Sequence, residues 1–438
     1  MTSANDLWLT RSRAAVWHPC TQMKQHESLP LVPLARARGP WLYDFEGRRY
    51  LDAVSSWWVN LFGHGQPAIN AAIGAQLAEL EHAMLAGFTH RPAIELAERL
   101  AALAPGRLGH CFFGSDGASA VEIALKMSFH YWHNAGRPEK TGFVSLEHGY
   151  HGETLGALTV TDVAVFRDVY GPLLRHNTTV PSPDARGAAP GTAAREHALA
   201  AAAGLEAVLA EHHPRIAALI VEPLVQGAAG MAMYDAAYLV RARELTARYG
   251  VHLIADEIMT GFGRTGTMFA CEQAQIEPDF LCLSKGITGG YLPLSVVLTT
   301  DGIYAAFYDD DPGRAFLHSH SYSGNPLACR AALAVLDLFR DQDVISRNRA
   351  RASELTALAQ PLARHPKVRN FRHLGMIWAF EVDSKRQDFA RWCFATALDR
   401  ELLLRPIGNT VYWMPPYVLE PAEAQLLAER TLEIVACA

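Results

Sequence analysis

Residues 253–266 read LIADEIMTGFGRTG, and residues 278–285 read PDFLCLSK. The first stretch belongs to a continuous apolar run, VHLIADE from Val251, and an equivalent run, AALIVEP, begins at Ala217. Both are short enough to be strands buried on two faces, as in a parallel sheet. Between them, DAAYLVRARELTARYG places Tyr238, Leu239, Ala242, Leu245 and Tyr249 at helical spacing and stops at Gly250. Strand, helix and strand in this order form a β-α-β unit. The pattern continues through DFLCLSK and LPLSVVLTT from Leu292, and upstream through HCFFGS, ASAVEIALKMSFHYWHN and GFVSLEH. These segments predict a large α/β domain with a mainly parallel sheet over 61–330.

The flanks read differently. WLYDFEGRRYLDAV from Trp41 predicts a hairpin with its turn at Glu46-Gly47, and the last hundred residues alternate helices with short strands. Residues 1–60 and 331–438 are therefore assigned together to a smaller α+β domain. ARGAAPGTAAREHALAAAAG from Ala185 predicts an exposed loop running into a surface helix.

Over 438 residues, 39 Lys and Arg stand against 45 Asp and Glu, a formal charge of −6. Such a mild acidic balance offers no field for phosphate backbones or anionic lipid, so nucleic acid and membrane are not expected partners. The first twenty residues contain no apolar block of the length that a signal peptide or a span needs, and a cytoplasmic location is expected. Seven scattered cysteines without a C-x-x-C pair predict reduced thiols. The close histidine pairs 130/133, 148/151 and 318/320 lack metal-site context and read as loop or core residues, so no metal is expected.

Asp256 falls at a strand end and Lys285 follows the next strand. In a parallel sheet such ends converge on one crevice, where an acid and a lysine can meet across a ligand. Ser284, Gly286, Thr288, Gly289 and Gly290 leave room for a planar partner beside the amine. The chemistry this suits is a Schiff base at Lys285, with Asp256 keeping a pyridine nitrogen protonated so that the ring becomes an electron sink. GSDGASAVEIALKM supplies a glycine turn running into a helix N-terminus, where Gly117 and Ala118 would donate N–H groups to a phosphate; the same pattern also reads as a plain capped start. Tyr150, in EHGYHGETLGA, would stack on a flat ring. GFGRTG matches the dinucleotide fingerprint in letters, but it lacks the strand-turn-helix context that the fingerprint needs.

With Lys285, Asp256, GFGRTG, Tyr150 and the phosphate turn together, the sequence resembles the subgroup III aminotransferases of fold type I, which depend on pyridoxal 5'-phosphate. The resemblance runs through nearly the whole chain, in WHPCTQMK, DAVSSWWVNLFGHG, IVEPLVQGAAGM, LHSHSYSGNPLAC and LLLRPIGNTVYWMPPY. It implies that Lys285 carries the cofactor and moves a proton, that Asp256 pairs with the ring nitrogen, and that Tyr150 covers the ring. His320 and Ser321 would stand at the phosphate, Ser321 reaching it from a second subunit, which implies a homodimer with a shared site. Trp57, Trp58 and Ser319 would line the substrate, and Arg405 would anchor a carboxylate; a Trp pair also reads as core. The SSWW and RPIGN blocks imply 8-amino-7-oxononanoate as acceptor and S-adenosyl-L-methionine as donor, in biotin biosynthesis. Cys20 stands where related members have a tyrosine, and HSHSY replaces H-G-P-T-F, so lysine stays open as an alternative donor, as does another ω-amino-acid substrate. The role of Arg264 also stays open.

Overall fold

The computed structural model describes residues 3–29 and 31–438 and divides into two compact units, residues 68–348 and residues 1–67 with 349–438. In the larger unit, seven strands form one sheet: β1 (His110–Gly114), β2 (Gly142–Leu146), β3 (Thr178–Val180), β4 (Ile216–Val221), β5 (His252–Asp256), β6 (Phe280–Leu283) and β7 (Ser295–Thr299). Their order is β1-β7-β6-β5-β4-β2-β3. Every residue of β4, β5, β6 and β7 is buried, as expected where helices cover both faces.

The helix Ala237–Tyr249 joins β4 to β5 and ends at Gly250 with φ 60°, a left-handed turn that favours glycine. The helix Gly117–Asn134 packs Ile123, Ala124 and Met127 against Ile220, Ile254, Phe280 and Val297. The sheet departs from a simple parallel continuation at β7, which runs antiparallel to both β6 and β1. The connection over 284–294 holds only the short turn Lys285–Thr288, too little for the crossover that a parallel neighbour requires, so the chain folds straight back.

The expected boundaries at 60 and 330 move. The helix Pro326–Asp341 belongs to the larger unit, where Arg99 reaches Asp337 at 2.9 Å, and Leu61 belongs to the smaller one, its carbonyl accepting the Tyr417 N–H. In the smaller unit Leu34–Arg38, Trp41–Asp44 and Arg49–Asp52 form an antiparallel sheet, with the hairpin turn at Gly47 (φ 84°). Leu402–Leu403 adds to Arg49–Asp52 in parallel, and this pairing fastens the two chain ends to each other. A second antiparallel sheet comprises Val368–Leu374, Ile377–Val382 and Thr410–Trp413. Among the described residues no helix is long and apolar enough to cross a membrane.

His252, at the start of β5, stacks on Trp132 and lies 2.9 Å from Ser128 Oγ. Burial pulls its pKa down to about 4. The unfolded chain then binds a proton between pH 6.5 and about 4 that the fold refuses, so stability falls as pH drops through that window, by on the order of 3 kcal/mol. Unfolding titrations from pH 7 to pH 4 should show a steeper loss for the parent than for His252→Phe; parallel slopes would remove His252 as the cause.

Candidate active site

The C-terminal ends of β1, β2, β4, β5 and β6 each deliver a polar residue. Asp256 closes β5, and only 4% of it is exposed. Its Oδ1 accepts the Ile258 N–H at 3.1 Å, and its Oδ2 lies 2.7 Å from His151 Nδ1. A carboxylate can only accept, so the proton of that bond sits on Nδ1. The buried Nε2 has no partner among the described residues. His151 itself is placed by its N–H, which donates to Thr161 Oγ1.

Glu222 follows β4. Its two carboxyl oxygens accept the Tyr150 N–H at 3.0 Å and the Gly227 N–H at 2.9 Å. Burial raises its pKa to about 7, the neighbouring Asp256 charge adding to the rise. Glu257 is likewise raised to about 7 by burial and accepts the N–H groups of Ala270 and Cys271, which closes the GFGRTG turn against the sheet. That turn leads into the short helix Cys271–Ala274, not into the strand-turn-helix of a dinucleotide site, and Arg264 within it is only 1% exposed.

Lys285 follows β6 at φ 48°, a left-handed backbone that costs a side-chain-bearing residue energy and recurs at functional sites. The turn is held from both sides, Ser284 Oγ donating to the Leu294 carbonyl and Thr288 Oγ1 to that of Leu292. Burial pulls the Lys285 amine below the usual lysine range, against the opposing charges of Asp256 and Glu222.

The helix Gly117–Asn134 begins after β1, with Asp116 as its cap accepting the Ser119 N–H. Gly117 and Ala118 supply first-turn N–H groups, which have no acceptor within a helix. A Cβ at Gly117 would stand 3.0 Å from the Ile258 side chain, which would have to give way, and one at Gly152 would lie 2.6 Å from Ala118 Cβ, so Gly152 needs a bare backbone. Ser115 Oγ, beside the same turn, lies 2.9 Å from His320 Nδ1. Ser319 and Ser321 are exposed on either side of His320. Tyr150 is half-buried, with its hydroxyl donating to Glu153 and its ring 5.4 Å from Phe166. Within the smaller unit, Trp57 is 41% exposed under the Arg405 guanidinium, 4.5 Å from its ring centroid, whereas Trp58 is buried and donates Nε1 to Tyr412 Oη.

His151, Glu222 and Ser115 were not among the expected site residues. His151 stands 105 positions from Asp256, and a Tyr-His-Gly in a loop carries no local signal of that pairing. A cleft of about 630 Å³ along Lys126, Phe129, His130 and Arg175 is lined by none of these residues. No cluster of three or more His, Cys, Asp or Glu suited to a metal ion occurs among the described residues.

The donor set fits pyridoxal 5'-phosphate. A lysine with a depressed amine, a buried carboxylate fixed by a histidine, and a glycine turn at a helix N-terminus all lie at the strand ends of one sheet. The profile of the class-III aminotransferases matches residues 22–435. The adenosylmethionine-8-amino-7-oxononanoate aminotransferase of Helicobacter pylori is 46% identical over 429 residues, 96% of this chain and 95% of that protein. The crystal structure of the enzyme of that name from Methanocaldococcus jannaschii superposes with a TM-score of 0.92 at 33% identity, covering 99% of both chains. A thermostable (S)-enantioselective omega-transaminase from Thermomicrobium roseum superposes at 0.93 with 31% identity, covering 100% of this chain and 99% of that one. Sheet, strand-end chemistry and full-length similarity agree: the chain belongs to the class-III aminotransferases, enzymes dependent on pyridoxal 5'-phosphate.

Proposed function

We propose that this chain transfers the amino group of S-adenosyl-L-methionine to 8-amino-7-oxononanoate, forming 7,8-diaminononanoate for biotin biosynthesis. The observation that carries this reading is the 46% identity, over 96% of the chain, to a protein named for that reaction. When bound, pyridoxal 5'-phosphate supplies a carbonyl that condenses with amines and a ring that accepts the electron pair released at the substrate carbon. Lys285 Nζ, whose pKa burial lowers from the ordinary lysine range, would form the covalent link and afterwards carry the proton from carbon to carbon. Asp256 would hold the proton on the ring nitrogen, and His151 keeps that carboxylate in one orientation. Gly117, Ala118, His320 and Ser321 would take the phosphate, and Tyr150 would cover the ring.

For the acceptor, the family resemblance names Trp57, which is exposed, Trp58, which is buried, Ser319, which is exposed, and Arg405, which would take the carboxylate. One site serving both half-reactions entails ping-pong kinetics. A homodimer is part of the proposal. It is supported by apolar side chains left open on the larger unit, among them Phe88, Val165, Val169, Leu173, Leu317 and Tyr322, and by the exposure of Ser321. Seven cysteines without a disulfide support a cytoplasmic location.

The test is the visible absorbance of the purified holoenzyme, followed while S-adenosyl-L-methionine, lysine or buffer is added. Adenosylmethionine alone should bleach the aldehyde form of the cofactor, and 8-amino-7-oxononanoate should restore it. Bleaching by lysine only would replace the donor, and no absorbance band even with added pyridoxal phosphate would remove the reading. Lys285→Ala should abolish that band and lower kcat by on the order of a thousandfold or more. Arg405→Ala should weaken use of 8-amino-7-oxononanoate by about 10- to 100-fold, the worth of a charge-assisted pair, with the donor half-reaction little changed. Equal losses in both halves would refute its carboxylate role.

A further inference from the structure

Residues 55–58, Ser-Ser-Trp-Trp, have φ values of 50°, 46°, 72° and 73°, four successive non-glycine residues in the left-handed region. Cβ crowds the following carbonyl there, so single left-handed residues are tolerated and runs are not, unless the surroundings over-determine them. Asp52 supplies that constraint. It is fully buried; its Oδ1 accepts the Ser56 N–H at 2.9 Å, and its Oδ2 accepts the Ser56 hydroxyl at 2.6 Å and the His64 Nε2–H at 3.2 Å. His64 is held in turn. Its N–H donates to the Gly39 carbonyl at 2.7 Å, its carbonyl accepts the Gly39 N–H at 2.9 Å, and its Nδ1 accepts from Asn60 Nδ2 at 3.2 Å. The bond to Asp52 requires a proton on Nε2, since a carboxylate can only accept. On the far side of the turn, Ser55 Oγ donates to the Met414 carbonyl at 2.7 Å and Trp58 Nε1 to Tyr412 Oη at 3.0 Å.

The outcome of this bracing is the placement of Trp57. The left-handed turn has Ser56 anchored on Asp52 and Trp58 on Tyr412, and Trp57 between them stays exposed with Arg405 stacked over its ring. We propose that Asp52 is a positioning residue for acceptor recognition: by anchoring the 55–58 turn it fixes the Trp57 ring that supports the Arg405 guanidinium, and thereby sets the KM for the carboxylate-bearing acceptor. The inference rests on the reading of Trp57 and Arg405 given above. Neither Asp52 nor His64 touches substrate in it.

The experiment uses the holoenzyme and its Asp52→Ala and Asp52→Asn variants, with the two half-reactions followed separately by cofactor absorbance and Trp57 followed by iodide quenching of fluorescence, taken as the difference from Trp57→Phe versions. Asp52→Ala should raise the KM for 8-amino-7-oxononanoate about tenfold or more, the worth of a buried charged hydrogen-bond acceptor, and change Trp57 quenching, while the donor half-reaction stays within about twofold. Asp52→Asn retains one acceptor oxygen for Ser56 and should recover part of both losses; it decides the matter if the alanine variant does not fold. Equal loss in donor and acceptor halves, or a folded variant with unchanged quenching and unchanged acceptor KM, overturns the role of Asp52. Arg405→Ala, measured alongside, separates the two readings. If it leaves acceptor KM unchanged, the assignment of Arg405 fails and the recognition part of the proposal falls with it, even where quenching shifts; if it raises acceptor KM while the Asp52 variants do not, only the inference about Asp52 fails.

Discussion

A carboxylate at the end of a wholly buried strand is sustained only by the groups that hydrogen-bond it, and the larger unit is organised around meeting that demand at Asp256. His151 answers one oxygen and the Ile258 N–H the other. The loop that brings His151 there also brings Tyr150, whose N–H satisfies Glu222, and Gly152, which packs on Ala118 at the start of the helix Gly117–Asn134. One pairing thus ties Asp256, Tyr150 and the turn at Gly117 into a single arrangement. Misplacing His151 would disturb all three.

The three acids of the strand ends are treated differently by their surroundings. Asp256 has a histidine partner, whereas Glu222 and Glu257 have backbone N–H groups, and burial raises both to about 7. The raised pKa of Glu222, beside the paired Asp256, limits the negative charge near Lys285, whose amine burial holds below its ordinary range. Glu257 serves the turn that follows β5, and Glu222 serves the loops after β2 and β4, so neither is free to compete with Asp256.

Left-handed backbone at residues that carry a side chain recurs through the described residues, and two instances fall among the candidate site residues. Lys285 at φ 48° and the run at 55–58 are these two, and both are braced by hydroxyl-to-carbonyl bonds, from Ser284 and Thr288 in one case and Ser55 in the other. Such bonds compete with regular structure in an open helix or strand but suit turns that must not relax. Two of the small side chains around Lys285 thus hold the turn shut.

The amino-acid sequence by itself determined the elements whose signal is local. Apolar runs at β4, β5 and β6, the helical spacing that ends at Gly250, the hairpin at Gly47, and the lysine and aspartate at strand ends are all consequences of periodicity and of residues with restricted or permissive backbones. The antiparallel return of β7 was also implicit in a short connection, though an apolar strand reads the same in either direction. What only the tertiary structure decided are the pairings between distant positions: His151 with Asp256, Ser115 with His320 across 205 residues, and the burial of Trp58 beside an exposed Trp57. A polar side chain's partner is set by which strand ends and loops the folded sheet brings within about 3 Å, and that distance is fixed by packing rather than by neighbours in the chain.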